Sequence, residues 1–238
     1  MVKKVFILIL LSSPGAVPAA ELEELSAELV NLSNRIERLQ DLSDVEKLPR
    51  YYSYYVDKAQ WRSVANLFSE DSTMEIGGRG IFIGRERVFE YLNTGMGPIG
   101  PRDGIIIDHQ NLQPLATIHD DGKTAEIRAI AFVMGPGGWG HVYYENDYVK
   151  DNGVWQIKKL HGPFNMYSSY DLGWVDKTVI NTRPESFLPP PDLPPSVIYL
   201  TFPNYYVEPY HYPNPVTGRP MPPPDPRAGG EAYERWNE

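Results

Sequence analysis

The sequence predicts an α+β fold, with helices first and an antiparallel meander of strands after them. Three observations carry this reading. Apolar residues recur at helical spacing from Leu22 to Leu39 and again from Tyr51 to Phe68. Two hairpin signals, "HDDGK" at 119–123 and "KDNGV" at 150–154, separate stretches of strand-forming residues, because Asp, Asn and Gly accept the positive backbone angles of tight turns. Between the two regimes lies "GMGPIGPRDG" at 95–104, glycine and proline punctuation that reads as a loop.

The bulk properties narrow the partners. The chain has 238 residues, 42% hydrophobic and 12% aromatic, enough for one filled core with length over for appendages. A net charge of -9 and an isoelectric point near 5.1 argue against nucleic acid and against an anionic membrane surface. A small apolar or aromatic molecule is the expected ligand. There is no cysteine, so disulfides, thiolate nucleophiles and thiolate metal sites are excluded.

The elements follow in order. "MVKKVFILILLSSPGAVPAA" sets two lysines before a short apolar run and ends in small residues, which predicts a secretory signal over residues 1–20 and a periplasmic or secreted protein. Leu22, Leu25, Leu29, Leu32, Ile36 and Leu39 form a heptad seam, so 21–42 is expected to be an amphipathic helix. It serves either as an oligomerisation arm, giving a dimer or trimer, or as a helix lying over the domain. Ser43 and Glu46 read as a capping box opening a second helix, with Pro49 as a kink or first turn. From Tyr51 to Phe68 the inward candidates are Tyr51, Tyr54, Tyr55, Trp61, Val64, Ala65 and Phe68. "STMEIGGRGIFIG" predicts a hairpin turning at Gly77 and Gly78, and "GRERVFEYL" a short helix. Strands are expected at 105–118, 124–134, 141–150 and 154–160. The domain so defined covers 43–175. Residues 176–238 hold most of the 23 prolines and many aromatics, an extended tail expected to lie against the domain or a neighbouring subunit.

Nucleotide-binding glycine loops and serine-hydrolase elbows are absent. The histidines His109, His119, His141, His161 and His211 show no zinc spacing, so neither metal nor cofactor is expected. What remains is proton-transfer chemistry. Asp57, with Tyr54 three residues before it and Trp61 four after, places carboxylate, phenol and indole on one helix face. His109 ends an apolar row of Ile105 and Ile107 on one strand face. An imidazole in an apolar pocket, held by a carboxylate on its far nitrogen, is what a general base near neutral pH requires. Arg128 within "AEIRAIAFVM" is expected to be paired or substrate-facing. On the strand after it Tyr144 and Tyr148 alternate with Glu145 and Asp147, so one set faces inward. His161 and Asn165 follow the last strand at the pocket mouth, and Trp139 in "GPGGWGH" sits on a loop that either closes over substrate or packs as a turn.

"YYVDKAQWRSVANLFSEDSTMEIGGRGIFIGRERVFEYL" and "ENDYVKDNGVWQIKKLHGPF" resemble the SnoaL-like branch of the nuclear-transport-factor-2-like superfamily. That branch includes polyketide cyclases, scytalone dehydratase, a bile-acid dehydratase and a hexachlorocyclohexane dehydrochlorinase. The likeness spans about residues 42 to 175. It implies a strongly curved sheet folded into a cone, capped by helices around an apolar pocket, and an Asp and His catalytic pair falling on Asp57 and His109. The bile-acid enzyme's tyrosine matches Tyr52, so Tyr52 and Tyr54 both stand as the catalytic phenol. Scytalone dehydratase's second histidine falls near Ala129 and its asparagine near Tyr144. Limonene epoxide hydrolase, on the same fold, uses two acids and an arginine, which Glu126 and Arg128 could mimic in part.

The expected activity is therefore a cofactor-independent lyase on an aromatic or polycyclic molecule, with Asp57, His109 and Tyr52 or Tyr54 catalytic and Trp61, Arg128, Tyr144, His161 and Asn165 against substrate. A variant resembles the lyases that release formaldehyde from lignin-derived diaryl compounds. The rival reading is a domain that only binds or scaffolds.

Overall fold

The computed structural model describes residues 18–172, 188–196, 201–202 and 208–221. Most of the expected leader, the boundary near residue 175 and part of the tail lie outside them. The chain divides into two compact units, Met1–Leu39 and Gln40–Glu238.

The first unit holds the start of helix α1 (Ala19–Asp57), and its seam residues from Leu22 to Leu39 are all exposed. No break occurs at Ser43: α1 runs on through Pro49 as one helix, and the expected second helix is its continuation. Proline removes one backbone donor, yet the helix survives because Val45, Leu48, Tyr52 and Val56 bury one continuous stripe. The inward residues differ from those expected, since Tyr51 and Tyr54 face solvent and Tyr52 and Val56 face the core.

Helix α1 stops at Asp57. Ala59 takes a left-handed φ of 50°, and a new short helix, α2 (Trp61–Ala65), begins on a different axis. Phe68, expected to end a helix, starts strand β1 (Phe68–Ile76). Strand β2 (Ile81–Ile83) returns across a turn where Gly77 and Gly78 have φ of 60° and 70°, as the sequence predicts. Helix α3 (Arg85–Glu90) runs into a π-helical turn, Tyr91–Gly95. The loop after it leads to β3 (Asp108–Ile118), β4 (Thr124–Gly135), β5 (Gly138–Asp151), β6 (Val154–Gly162) and β7 (Phe164–Ser168).

The strands form one open sheet of order β2-β1-β6-β5-β4-β3, with β7 also paired to β5. It is curved and α+β as expected but mixed rather than wholly antiparallel, because β1 lies parallel to β6. Parallel pairing follows from the long connection, which carries the chain from one sheet edge through the meander before β6 returns beside β1. Trp139 belongs to β5, paired with Met134, rather than to a loop. Among the described residues no helix is long and apolar enough to cross a membrane.

Inward residues are Ala125, Ile127, Ala129, Ala131 and Val133 on β4 and Val142, Tyr144 and Tyr148 on β5. The alanines keep the concave face shallow, so α1 residues from Val45 onward can pack over it and still leave space. Asp41 fastens the base of this packing. Its carboxylate accepts the Trp155 indole N–H at 2.9 Å and pairs with Lys150 at 2.8 Å, all three largely buried. Asp41→Ala should cost about 2–3 kcal/mol, since it leaves the buried Trp155 indole N–H without its acceptor and takes a carboxylate from beside Lys150. Urea denaturation measures it, and a loss within about 0.5 kcal/mol, the range of an ordinary surface change, would contradict this role.

Candidate active site

Asp57 and His109, distant in sequence, meet where the last residue of α1 abuts the second residue of β3. Asp57 Oδ1 accepts the backbone N–H of His109 at 2.8 Å. The same oxygen lies 3.7 Å from His109 Nδ1, and both side chains are largely buried. Nδ1 makes no hydrogen bond and is shut off from solvent. A modest rotation of the ring would close that distance, and such bonds commonly tighten only when a ligand is bound.

The His109 ring lines a cavity of about 450 Å³ on the concave face. Ile105 and Ile107 line it as well, although they lie in the loop before β3, which begins at Asp108 rather than at 105 as expected. Four phenols face the same space: Tyr52, Tyr91, Tyr144 and Tyr167. Tyr52 and Tyr144 are buried edge to face, with ring centroids 6.3 Å apart. Gly162 makes room for this arrangement, because a Cβ there would stand 2.9 Å from the Tyr144 ring. Burial raises the pKa of Tyr52 well above the usual phenol range and that of Tyr144 likewise, while the nearby Arg79 guanidinium opposes both shifts. These hydroxyls, hydrogen-bonded to each other, therefore stay protonated near neutral pH.

Several residues expected at the site lie elsewhere. Tyr54 is 71% exposed, on the opposite side of α1 from Tyr52. Trp61 does not share a face with Asp57, because the helix ends between them. It is wholly buried, and its Nε1 donates to the Gly97 carbonyl at 2.7 Å. Arg128, His161 and Asn165 point away from the cavity, as strand alternation demands once Ile127, Ala129, Leu160, Gly162 and Phe164 face inward. By the same rule Tyr144 faces in and Glu145 out, which settles the choice left open by the sequence.

The convex face is a second environment, covered by the tail. Ser196 donates to Glu75 from both its N–H and its hydroxyl, each at 2.7 Å. Arg128 binds Glu145 at 2.6 Å and Glu208 at 3.0 Å, and His211 Nδ1 lies 3.0 Å from Glu145. Glu126 meets His119 at 3.3 Å. The pair that could have mimicked an epoxide hydrolase is therefore engaged outside the cavity. His161 is driven down to about 4, by burial first and by Lys159 second, so it stays neutral there.

Arg79, Tyr91, Arg102 and Tyr167 line the cavity and escaped the sequence reading. Arg79 and Arg102 sit in glycine-rich turns read as punctuation. The signal available was the presence of an arginine inside each glycine-rich turn.

The family model described as the SnoaL-like domain matches residues 37–161. The chain belongs to the SnoaL-like domain family. No curated protein matches the sequence. Similar solved structures include a putative scytalone dehydratase from Novosphingobium aromaticivorans, at 19% identity and TM-score 0.49, over 63% of this chain and 98% of that one. A hexachlorocyclohexane dehydrochlorinase, LinA-type3 from Novosphingobium barchaimii, has 19% identity and TM-score 0.49 over 56% and 92%. An NTF2-like protein with a cystatin-like fold, from Novosphingobium aromaticivorans, has 16% identity and TM-score 0.47 over 57% and 89%.

On the convex face of this SnoaL-like domain, burial pushes Glu208 up to about 7 from 4.5, against the opposing pull of Arg128. A carboxyl held above its usual value contributes stability that is complete below that value and fades as pH rises through the folded one. The segment 208–221 should therefore show lower amide protection factors, with exchange corrected for its intrinsic base-catalysed rate, at pH 8 than at about pH 5.5, and Glu208→Gln should remove most of the difference in protection. Equal protection of the native segment at both pH values would contradict the assignment.

Proposed function

We propose that this SnoaL-like domain is a cofactor-independent lyase acting on an aromatic or polycyclic small molecule, with His109 as its base. The observation that carries the reading is an imidazole on the wall of a mainly apolar cavity, backed by a carboxylate and faced by protonated phenols. In the step so assembled, a substrate C–H bond breaks and its proton passes to the imidazole. The electron pair becomes a new carbon–carbon π bond, and an adjacent C–O bond breaks. The departing oxygen takes up the proton held by the imidazolium, directly or through Tyr52 or Tyr144, and leaves as water. Asp57 stabilises the transient imidazolium, and a phenol donates to whichever oxygen gains charge. A leader over residues 1–20 would place this activity outside the cytoplasm.

One observation favours a second reading, a domain that binds without turnover. The hydrogen bond that Asp57 makes runs to the His109 backbone, and the ring nitrogen stands 3.7 Å off. Asn at position 57 separates the two readings, because its amide oxygen can still accept that N–H while the charge is lost.

With phenolic, diaryl and polycyclic compounds screened by product mass, His109→Ala should lower turnover on the order of 10²-fold or more. Asp57→Asn should lower it by at least about tenfold with the melting temperature nearly unchanged. Thermal stabilisation by a compound that yields no product, with both variants binding as the native chain does, would support the binding reading instead. Turnover retained by His109→Ala would remove the imidazole from the role of base.

A further inference from the structure

The first unit leaves an apolar seam in water. Leu22, Leu25, Leu29, Leu32, Ile36 and Leu39 are each between 47% and 67% exposed, so among the described residues nothing buries them. A helix of this length, residues 19–39, draws its stability chiefly from covering one face.

The width of the stripe says what covers it. Steps of three and four alternate strictly, which puts Leu22, Leu29 and Ile36 at positions a and Leu25, Leu32 and Leu39 at positions d of a heptad abcdefg. Val30 is the one large apolar residue of the stretch off this seam. A stripe two positions wide is the seam of a helix pair, narrower than a face that lies on a globular core. The first two turns carry Glu21, Glu23, Glu24 and Glu28, which anionic lipid repels. The surface that matches such a seam is another like it.

Charge then sets the direction. With a second copy parallel and in register, Glu28 and Arg35 at positions g meet only the uncharged Ser33 and Gln40 at positions e, and the two acidic ends lie side by side. With the second copy antiparallel, Leu22 packs against its Leu39, Leu25 against its Ile36 and Leu29 against its Leu32. Each layer occurs twice, so all six side chains of both copies are covered. In that same register Glu28 meets Arg35 of the second copy, also twice, and the acidic end lies over the end that holds Arg35 and Arg38. The last layer falls on Leu39, where the first unit ends.

We infer that residues 22–39 pair with the same residues of a second copy of this chain as an antiparallel, two-stranded coiled coil. This assembly is independent of the chemistry proposed for the cavity.

Sedimentation velocity of the purified full chain at tens of micromolar should give twice the mass of one chain. Leu29→Glu sets a carboxylate in each central layer and should raise the dissociation constant at least about a hundredfold. It should leave the tryptophan fluorescence, which reports Trp61 and Trp155 of the second unit, unchanged. Glu28→Arg places like charges together and should weaken the dimer about tenfold, and adding Arg35→Glu should restore it. In a parallel pair Glu28→Arg would relieve the acidic end, and the second change would rescue nothing. A monomer at that concentration, a trimer or larger, a dimer that survives Leu29→Glu, or a charge exchange that fails to restore association would each overturn the assignment. So would a monomer that floats with phosphatidylglycerol vesicles.

Discussion

Strand alternation is the constraint on which the rest of this structure depends. Each strand of the meander presents one residue in two to the concave face, and that choice separates two chemical environments a few ångströms apart. Inward go Ile127, Ala129, Tyr144, Leu160 and Phe164, which build a space with apolar walls and phenol hydroxyls. Outward go Arg128, Glu145 and Asn165, which meet the tail, and His161, which lies beside Glu75. A shift of one residue in register would exchange the two sets, place ion pairs in the core and leave the phenols in water.

The helix end supplies the second condition. Asp57 is the last residue of α1, and the left-handed turn at Ala59 lets the chain leave without carrying it away from β3. The carboxylate then serves two neighbouring groups. It anchors the His109 backbone, and it stands behind the His109 ring. One side chain thus both fixes where a strand begins and places a carboxylate beside an imidazole.

The parts legible in the sequence were those governed by local rules. The hairpin at Gly77 and Gly78, the turns at 119–123 and 150–154 and the inward row ending at His109 follow from backbone preferences and period-two patterning. Asp57 and His109 stand out in the sequence because their types, an acid and an imidazole set among apolar and aromatic residues, are unusual. Tyr54 and Trp61 were misplaced because helix spacing was carried across a point where the helix stops. Nothing in "VDKAQW" marks that stop except a residue, Ala59, that rarely adopts a positive φ. Arg128, His161 and Asn165 lie off the cavity for another reason: a polar residue on a strand is equally visible whichever face it occupies, and the face depends on non-local contacts such as that of Arg128 with Glu208, 80 residues further on. The parallel pairing of β1 with β6 is non-local in the same way.

Trp61 supplies a tether as well as bulk. Its ring is sunk completely in the core, and its one polar atom grips the backbone of the loop that bears Arg102. One wall of the cavity, lined by Met96 and Arg102 of this loop, thus hangs from a fully buried indole. Displacing that wall requires either breaking the indole N–H···O contact or dragging a buried ring out of close packing, so the space beside it keeps its outline.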